Sequence, residues 1–496
     1  MTLQAAAAEA GASRVRACVR QTLMVVLINV PALSFGLAMG WVSLASGERA
    51  GGAGGAGHGN EAHVVSAAAT TFVASLLGVP LCARALTAGR KAAVVATSAA
   101  FLACWVLKLC GGGWWVVAAR ACAGLGGAGA WCVAPLLARE MCEARVRGAA
   151  VAALVLANNL GVLLMYLAAD AQLPHRAVLW GCAALSAAHC ALFACVPESP
   201  PHLAARGRPD EALAALAWLR GVARESPELV AELRALPPPD DGLLSPLALT
   251  KDMLSSPGRR RAFVLVLVAV VGQEACGVLA LLQFAERVFV LAGAEAAGDA
   301  GVGGAGGALG SPARHAVLLG AAQLVASALA LYLVEKVGRK PLIVWCALAT
   351  GLCLLGAAGA VWGGLGGGCA GALLAGAVFA DSAGLQPAPY AMLADMFTYQ
   401  YLGCAVSLVG LAAWGGNALE VVVFPLAARA GGLAAALALG AALTLALALF
   451  AAAALPETRG RAPHHIYAAL CPPAPLCSRW RRARAGWRRR WRWARR

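Results

Sequence analysis

The chain has 496 residues, 60% of them hydrophobic and only 13% charged, yet its formal net charge is +16. A soluble domain is about a quarter charged, so a water-soluble multidomain enzyme is excluded, as are disorder, coiled coil and collagen. A mean hydropathy of +0.72 makes lipid the solvent for most of the chain. In chain order, apolar windows at 21–44, 63–86, 91–111, 113–138, 148–169 and 175–196 predict six transmembrane helices. Six more follow at 262–289, 313–334, 341–362, 366–394, 403–427 and 430–455. The first window follows Arg14, Arg16 and Arg20 without a convincing small-residue cleavage site, so it reads as a retained helix. Between the sixes, 208–235 sets Leu213, Leu216 and Leu219 against Glu211 and Arg220 at helical spacing, and the Pro-rich 237–240 ends it. The expected organisation is an N-tail (1–20), an N-terminal bundle (21–197), a helical linker (198–260), a C-terminal bundle (261–456) and a basic tail (457–496).

Position explains the charge. Of 40 Lys and Arg, 33 fall on the side shared by the N-tail, the linker and the C-tail, six fall in loops on the other side, and Arg120 lies within a span. The positive-inside rule then predicts both termini in the cytoplasm, with the plasma membrane as the default location. Segment 478–496 alone contributes ten arginines, interleaved with four tryptophans. It reads either as a ligand for anionic inner-leaflet lipid or as a poorly ordered extension, and nucleic acid is not an expected partner. The 17 cysteines are scattered without CxxC pairs and read as small apolar residues. No P-loop, GxSxG or HExxH string occurs, so no enzyme, metal or cofactor is predicted.

Local strings narrow the class. Pro197-Glu198-Ser199-Pro200 follows the sixth span, with Gly207-Arg208, Glu211-Ala212 and Leu219-Arg220-Gly221 after it. Glu335-Lys336-Val337-Gly338-Arg339-Lys340-Pro341-Leu342 follows the eighth, and Pro456-Glu457-Thr458-Arg459-Gly460-Arg461 the twelfth. The fourth span carries Arg120, Gly124, Gly126, Pro135 and Glu140, with Arg147-Gly148 beyond. In this order, over about 15–460, the set resembles the sugar porter branch of the major facilitator superfamily. Asn159-Leu160-Gly161-Val162-Leu163 looks most like insect facilitated trehalose transporters. The resemblance implies an all-α membrane protein of twelve helices in two six-helix bundles with a cytoplasmic helical linker. It implies transport of a sugar by alternating access, with a site at the midplane between the halves.

On this reading Arg90, Glu140 and Arg147 in the first half, and Glu335, Arg339 and Asp395 in the second, are placed for a gate latch at the cytoplasmic helix ends. Arg120 joins them as a gating candidate. The plainer reading is topology charge, worth little per pair. The resemblance assigns sugar contacts to Gln273, to Gln323 in the eighth span, to Asn417 and Trp414 in the eleventh, and to Tyr390 where the family has a stacking Trp. Glu274 takes the place of a second glutamine, and Asn159 is a mid-span contributor from the fifth helix. Interhelical hydrogen bonding would explain the amides, and an interfacial belt the aromatics.

Several positions depart from the family pattern. Leu86 and Leu402 replace gate charges, Leu279 replaces a sugar-binding Asn, and Gln283 replaces a Tyr. Ala38 stands where proton-coupled members carry an Asp, which predicts uniport of glucose or another small sugar, trehalose among them. Against this stand Glu274, Asp381 and Glu420 at intramembrane depth. Such acids relay protons, bind a cationic or amine-bearing solute, or stay neutral and hydrogen-bonded. The alternatives are a proton-coupled or non-sugar transporter and a membrane sugar sensor without turnover.

Overall fold

With no water in the hydrocarbon to bond their backbones, runs this apolar must satisfy every N–H and C=O within helices. The computed structural model describes residues 2–51, 58–111, 113–234, 236, 246–284, 288, 312–365 and 367–470, and among these it is helical, without strands. The first half is α1 (Thr2–Gly51), α2 (His58–Ala88), α3 (Arg90–Cys110), α4 (Trp114–Met141), α5 (Ala144–Asp170) and α6 (His175–Ala194). Short helices α7 (Pro200–Ala205), α8 (Pro209–Arg220), α9 (Pro227–Arg234) and α10 (Pro246–Ser255) form the linker. The second half is α11 (Pro257–Glu274), α12 (Val278–Gln283), α13 (Pro312–Val337), α14 (Arg339–Trp362), α15 (Gly367–Ala380), α16 (Pro387–Met396) and α17 (Tyr399–Ala454), with α18 (Pro463–Leu470) after it. All four linker helices begin with proline, whose missing N–H has no partner to lose at that position.

Eleven helical stretches among the described residues are long and apolar enough to cross a membrane. The last runs 55 residues and holds two crossings. Gly432 interrupts it with φ 78, ψ 171, and Tyr401 and Ala451 share one apolar cluster, so the chain reverses there and the crossings number twelve. The predicted windows 403–427 and 430–455 put the reversal at 428–429, whereas the break falls at Gly432, inside the second window. Two other spans are broken where hydropathy shows no interruption. The seventh divides into α11 and α12 at Gly277 (φ 88), a left-handed backbone that glycine adopts without steric cost. The tenth divides into α15 and α16 around a π-helical turn, Asp381–Leu385. Helix periodicity also predicts one linker helix over 208–235, whereas Gly221 (φ 68) ends α8 and a new helix begins at Pro227.

Small residues set the packing. A Cβ added to Gly36 of α1 would stand 1.9 Å from the Asn158 carbonyl oxygen of α5, and one added to Gly161 of α5 would stand 2.3 Å from that of Leu33. The two backbones are therefore in contact, as small residues allow in membranes. Lys108, read from the sequence as a loop charge, is instead 5% exposed. Its Nζ lies 4.0 Å from the Trp41 ring centroid and 4.2 Å from that of Trp105, an aromatic cradle for the ammonium.

The linker is bonded to both halves. Gln21 Nε2 donates to the Leu219 carbonyl at 3.1 Å, and Glu143 N donates to Gln21 Oε1 at 2.9 Å, seating α8 on the first half. On the second half, α10 is held through Asp252, which accepts from Tyr401 and pairs with Arg259 at 3.3 Å. At the linker end each half keeps its own apolar cluster, one around Met24, Leu137 and Cys142, the other around Met253, Met392 and Ala451. Away from the linker a single cluster spans both, joining Phe35, Phe72, Val162 and Tyr166 to Val278, Leu281, Trp414 and Phe424. The halves therefore close on each other at the end opposite the linker.

Candidate functional site

Two charged constructions of the same design occupy the linker ends of the halves. In the first, Glu198 Oε1 accepts from the backbone N–H groups of Arg90 and Lys91 at 3.1 Å each, the first turn of α3. Arg90 grips Glu140 in bidentate fashion, Nε and Nη2 each at 3.2 Å, and Ser199 Oγ donates to the same carboxylate at 2.5 Å. In the second, Glu457 accepts from the N–H groups of Arg339 and Lys340 at 3.2 Å each, the first turn of α14. Thr458 Oγ1 donates to Asp395 at 3.0 Å. Arg339 Nε lies 2.9 Å from Asp395 Oδ2, a contact made on charge rather than along the N–H direction, and its Nη2 donates to Glu335 at 3.1 Å. A carboxylate at a helix N-terminus satisfies donors that have no partner inside the helix and complements the dipole.

These pairs lie within a half: Arg90–Glu140 in the first, Arg339–Asp395 and Arg339–Glu335 in the second. The Arg147 side chain lies outside the described residues. Beside Arg90 sits His202, whose Nδ1 is 2.8 Å from Arg90 Nη1. Burial first, then the adjacent guanidinium, push the His202 imidazole below its ordinary value.

Arg120 is elsewhere. It is 1% exposed, its Nη1 donates to the Ala38 carbonyl at 2.8 Å, and its Nη2 donates to Gln283 Oε1 of α12 at 3.4 Å. It thus connects the two halves away from the linker. Three more contacts do the same. Tyr166 of α5 donates to the Leu282 carbonyl. Asn159 Nδ2 donates to Ser327 Oγ of α13 at 2.6 Å. Trp414 stands edge-on to Phe35 at 5.7 Å and tilted against Phe72 at 6.1 Å.

The remaining predicted residues gather around the break between α11 and α12. Tyr390 Oη donates to Glu274 Oε1 at 3.1 Å, and the Asn417 amide faces the same carboxyl. The Gln273 amide faces Asp381 in the π turn, with Cys276 Sγ 4.0 Å from Asp381 Oδ1. Glu420 Oε1 accepts from the Ala280 N–H of α12 at 2.9 Å. Gln273 Oε1, Asn417 Oδ1 and Gln323 Oε1 are buried and have no partner among the described residues. A buried acceptor left unpaired costs about 1–3 kcal/mol, so such groups bond to water or to a solute that displaces it. Gln323 also accepts Ser327 Oγ on its backbone carbonyl at 2.8 Å, which ties the Asn159 contact to the site. Discontinuous helices with free polar groups between two bundles are the arrangement transporters use for solutes.

The chain matches the family described as "Sugar (and other) transporter" over residues 60–469. It belongs to that family. Membership places it among transporters rather than enzymes. In sequence it is 25% identical over 366 residues to the "Probable metabolite transport protein CsbC" of Bacillus subtilis (strain 168), covering 72% of this chain and 74% of the relative. In structure it is similar to the xylose transporter XylE from E. coli in an inward-open conformation, with TM-score 0.70, 17% identity, and coverage of 90% of this chain and 99% of the other. It is also similar to the proton:xylose symporter XylE bound to 6-bromo-6-deoxy-D-glucose, with TM-score 0.68, 19% identity and 91% and 100% coverage. At such identity the likeness is one of fold, here the major facilitator fold.

Sequence reasoning gave the transporter's Glu198 and Glu457 no role, although Pro-Glu-Ser and Pro-Glu-Thr recur at matching places after the sixth and twelfth spans. That repetition is the signal for two equivalent helix caps. Ser327 and His202 had no signal, because their roles depend on neighbours 168 and 112 residues away.

Proposed function

We propose that this transporter carries a small sugar, glucose or another hexose with trehalose as the larger candidate, down its gradient by alternating access. We place it in the plasma membrane with both termini in the cytoplasm, so the structure described is closed on the outside. The observation that carries this reading is the meeting of Gln273, Glu274, Tyr390 and Asn417 at the α11–α12 break, with unpaired amide oxygens beside them. Hydroxyl-rich solutes supply the donors these oxygens lack, and Tyr390 and Trp414 supply ring faces of the kind that line such pockets.

On this proposal the outer gate is the set of contacts between halves: Arg120–Gln283, Tyr166–Leu282, Asn159–Ser327 and Trp414 against Phe35 and Phe72. Each holds in one state and breaks in the other, which is the condition for a contact to bias the equilibrium. The linker-end pairs around Arg90 and Arg339 keep each half rigid as it rocks, with Arg147 assigned to the same end. The insect-type resemblance of 159–163 supports a sugar, and so do the names of the xylose-transporting structural neighbours.

Uptake of radiolabelled glucose and trehalose into proteoliposomes tests the reading. Gradient-driven uptake that an uncoupler leaves unchanged is the expected result. Binding without flux would instead favour a sensor.

A further inference from the structure

The transporter's midplane site has an imbalance that a neutral sugar does not correct. Three carboxyls, Glu274, Asp381 and Glu420, act on one another electrostatically, and the other titratable groups that face them are Cys276 at the α11–α12 break, Cys346 of α14 and Tyr390 of α16. Among the described residues no lysine, arginine or histidine acts on the three carboxyls. Asp381 and Glu420 are 3% and 8% exposed, whereas Glu274 is half-buried, the most accessible of the three. Burying carboxylates without a compensating cation is costly.

The amides supply a second, independent observation. An amide beside a carboxyl turns its N–H toward it. Gln273 stands beside Asp381 and Asn417 beside Glu274. Left without a partner among the described residues are Gln273 Oε1 on a residue 6% exposed, Asn417 Oδ1 on one 7% exposed, Glu420 Oε2, and the Ser382 hydroxyl in the π turn. Glu274, standing where the resemblance has a second glutamine, adds a carboxyl beside these unpaired groups, and a carboxyl buried without a cation either takes up a proton or meets a charged solute. A ligand that fits must donate at several points and carry positive charge. A metal ion does not fit, because no three His, Cys, Asp or Glu among the described residues converge on a metal position.

We infer that the solute is a polyhydroxylated amine of hexose size, an amino sugar, whose ammonium group pairs with Glu274 while its hydroxyls donate to Gln273 and Asn417. This inference rests on reading the site as that of a sugar transporter. It is tested with the full chain in proteoliposomes, comparing D-glucosamine, D-glucose and N-acetyl-D-glucosamine, the last keeping the nitrogen but losing its charge. Glucosamine is expected to be preferred over both neutral sugars by about tenfold or more. Glu274→Gln brings that ratio close to one, and Glu274→Asp preserves the preference. Should either variant fail to fold, the ranking by the unaltered chain decides alone. Equal handling of glucose and glucosamine overturns the inference but not sugar transport, and so does a preference that survives Glu274→Gln. Equal handling with uptake that an uncoupler abolishes overturns it in favour of carboxyls that carry protons. Uptake of none of the three sugars overturns this inference, and failure of trehalose as well contradicts the sugar-transport reading itself.

Discussion

Removing the carboxylate of Glu198 exposes how much the linker-end network holds. Its oxygens accept three backbone N–H groups, from Arg90 and Lys91 at 3.1 Å each and from Ser199 at 2.9 Å. A hydrogen bond to a charged group contributes about 1.5–3 kcal/mol, and loss of a helix cap costs about 0.5–2 kcal/mol. The site is half-buried and water can take over part of the bonding, so about 2 kcal/mol is expected for Glu198→Ala. Glu198→Gln keeps acceptors but loses the charge, and about half that cost is expected. Hydrogen exchange read by mass spectrometry reports the affected amides directly. At 1.4 kcal/mol per factor of ten, the first turn of α3 should exchange about 30-fold faster in Glu198→Ala, while the middle of α3 keeps its protection. The equivalent Glu457→Ala should do the same to the first turn of α14, and the double variant should show both effects independently, since the caps lie in different halves. Unchanged exchange at residues 90–93, or equal loss of protection throughout the chain, would refute the capping argument.

Three further outcomes follow from particular contacts. His202, held below its ordinary value by burial and Arg90, favours the neutral form in the folded chain. The unfolded form then binds more protons as pH falls below about 6.5, so thermal stability should drop on acidification through that range, and His202→Gln should flatten the dependence. Gly36→Val places side-chain atoms where the Asn158 carbonyl already stands within 1.9 Å of a Cβ, so α1 and α5 must separate. Membrane-extracted protein should lose its monodisperse elution on gel filtration, whereas Gly181→Ala, with open space around it, should not. Trp414→Ala removes two aromatic pairs between the halves, each worth about 0.5–1.5 kcal/mol. Exchange in α12 should rise at least about fivefold as the closed outer end loosens, and an unchanged rate would remove Trp414 from the gate.

The spans were legible because lipid imposes length and apolarity together, and two apolar windows, 403–427 and 430–455, separated the crossings that one long helix conceals. The breaks inside the seventh and tenth spans were not. The residues of α12 are as apolar as those of α11, and only Gly277 hints at the change of direction. Gln273, Glu274, Tyr390 and Asn417 could be picked from the sequence by their polarity in apolar surroundings, and the structure brings Glu274, Tyr390 and Asn417 together and sets Gln273 beside Asp381. It sets Asn159 and Trp414 against the other half, through Ser327 and through Phe35 and Phe72, and Gln323 one turn from Ser327. Arg120 could be picked as unusual but not placed, since its partners Ala38 and Gln283 lie 82 and 163 residues away. The Arg- and Trp-rich segment 478–496 lies outside the described residues.

Counterflow tests the account most directly. Proteoliposomes holding the purified chain are preloaded with unlabelled sugar and diluted into a trace of the same sugar labelled. A carrier that exposes one site alternately predicts transient accumulation of label above its equilibrium level, reduced or abolished by Gln273→Ala and by Asn417→Ala. Label that rises only to equilibrium, or accumulation untouched by both substitutions, would contradict alternating access through this site.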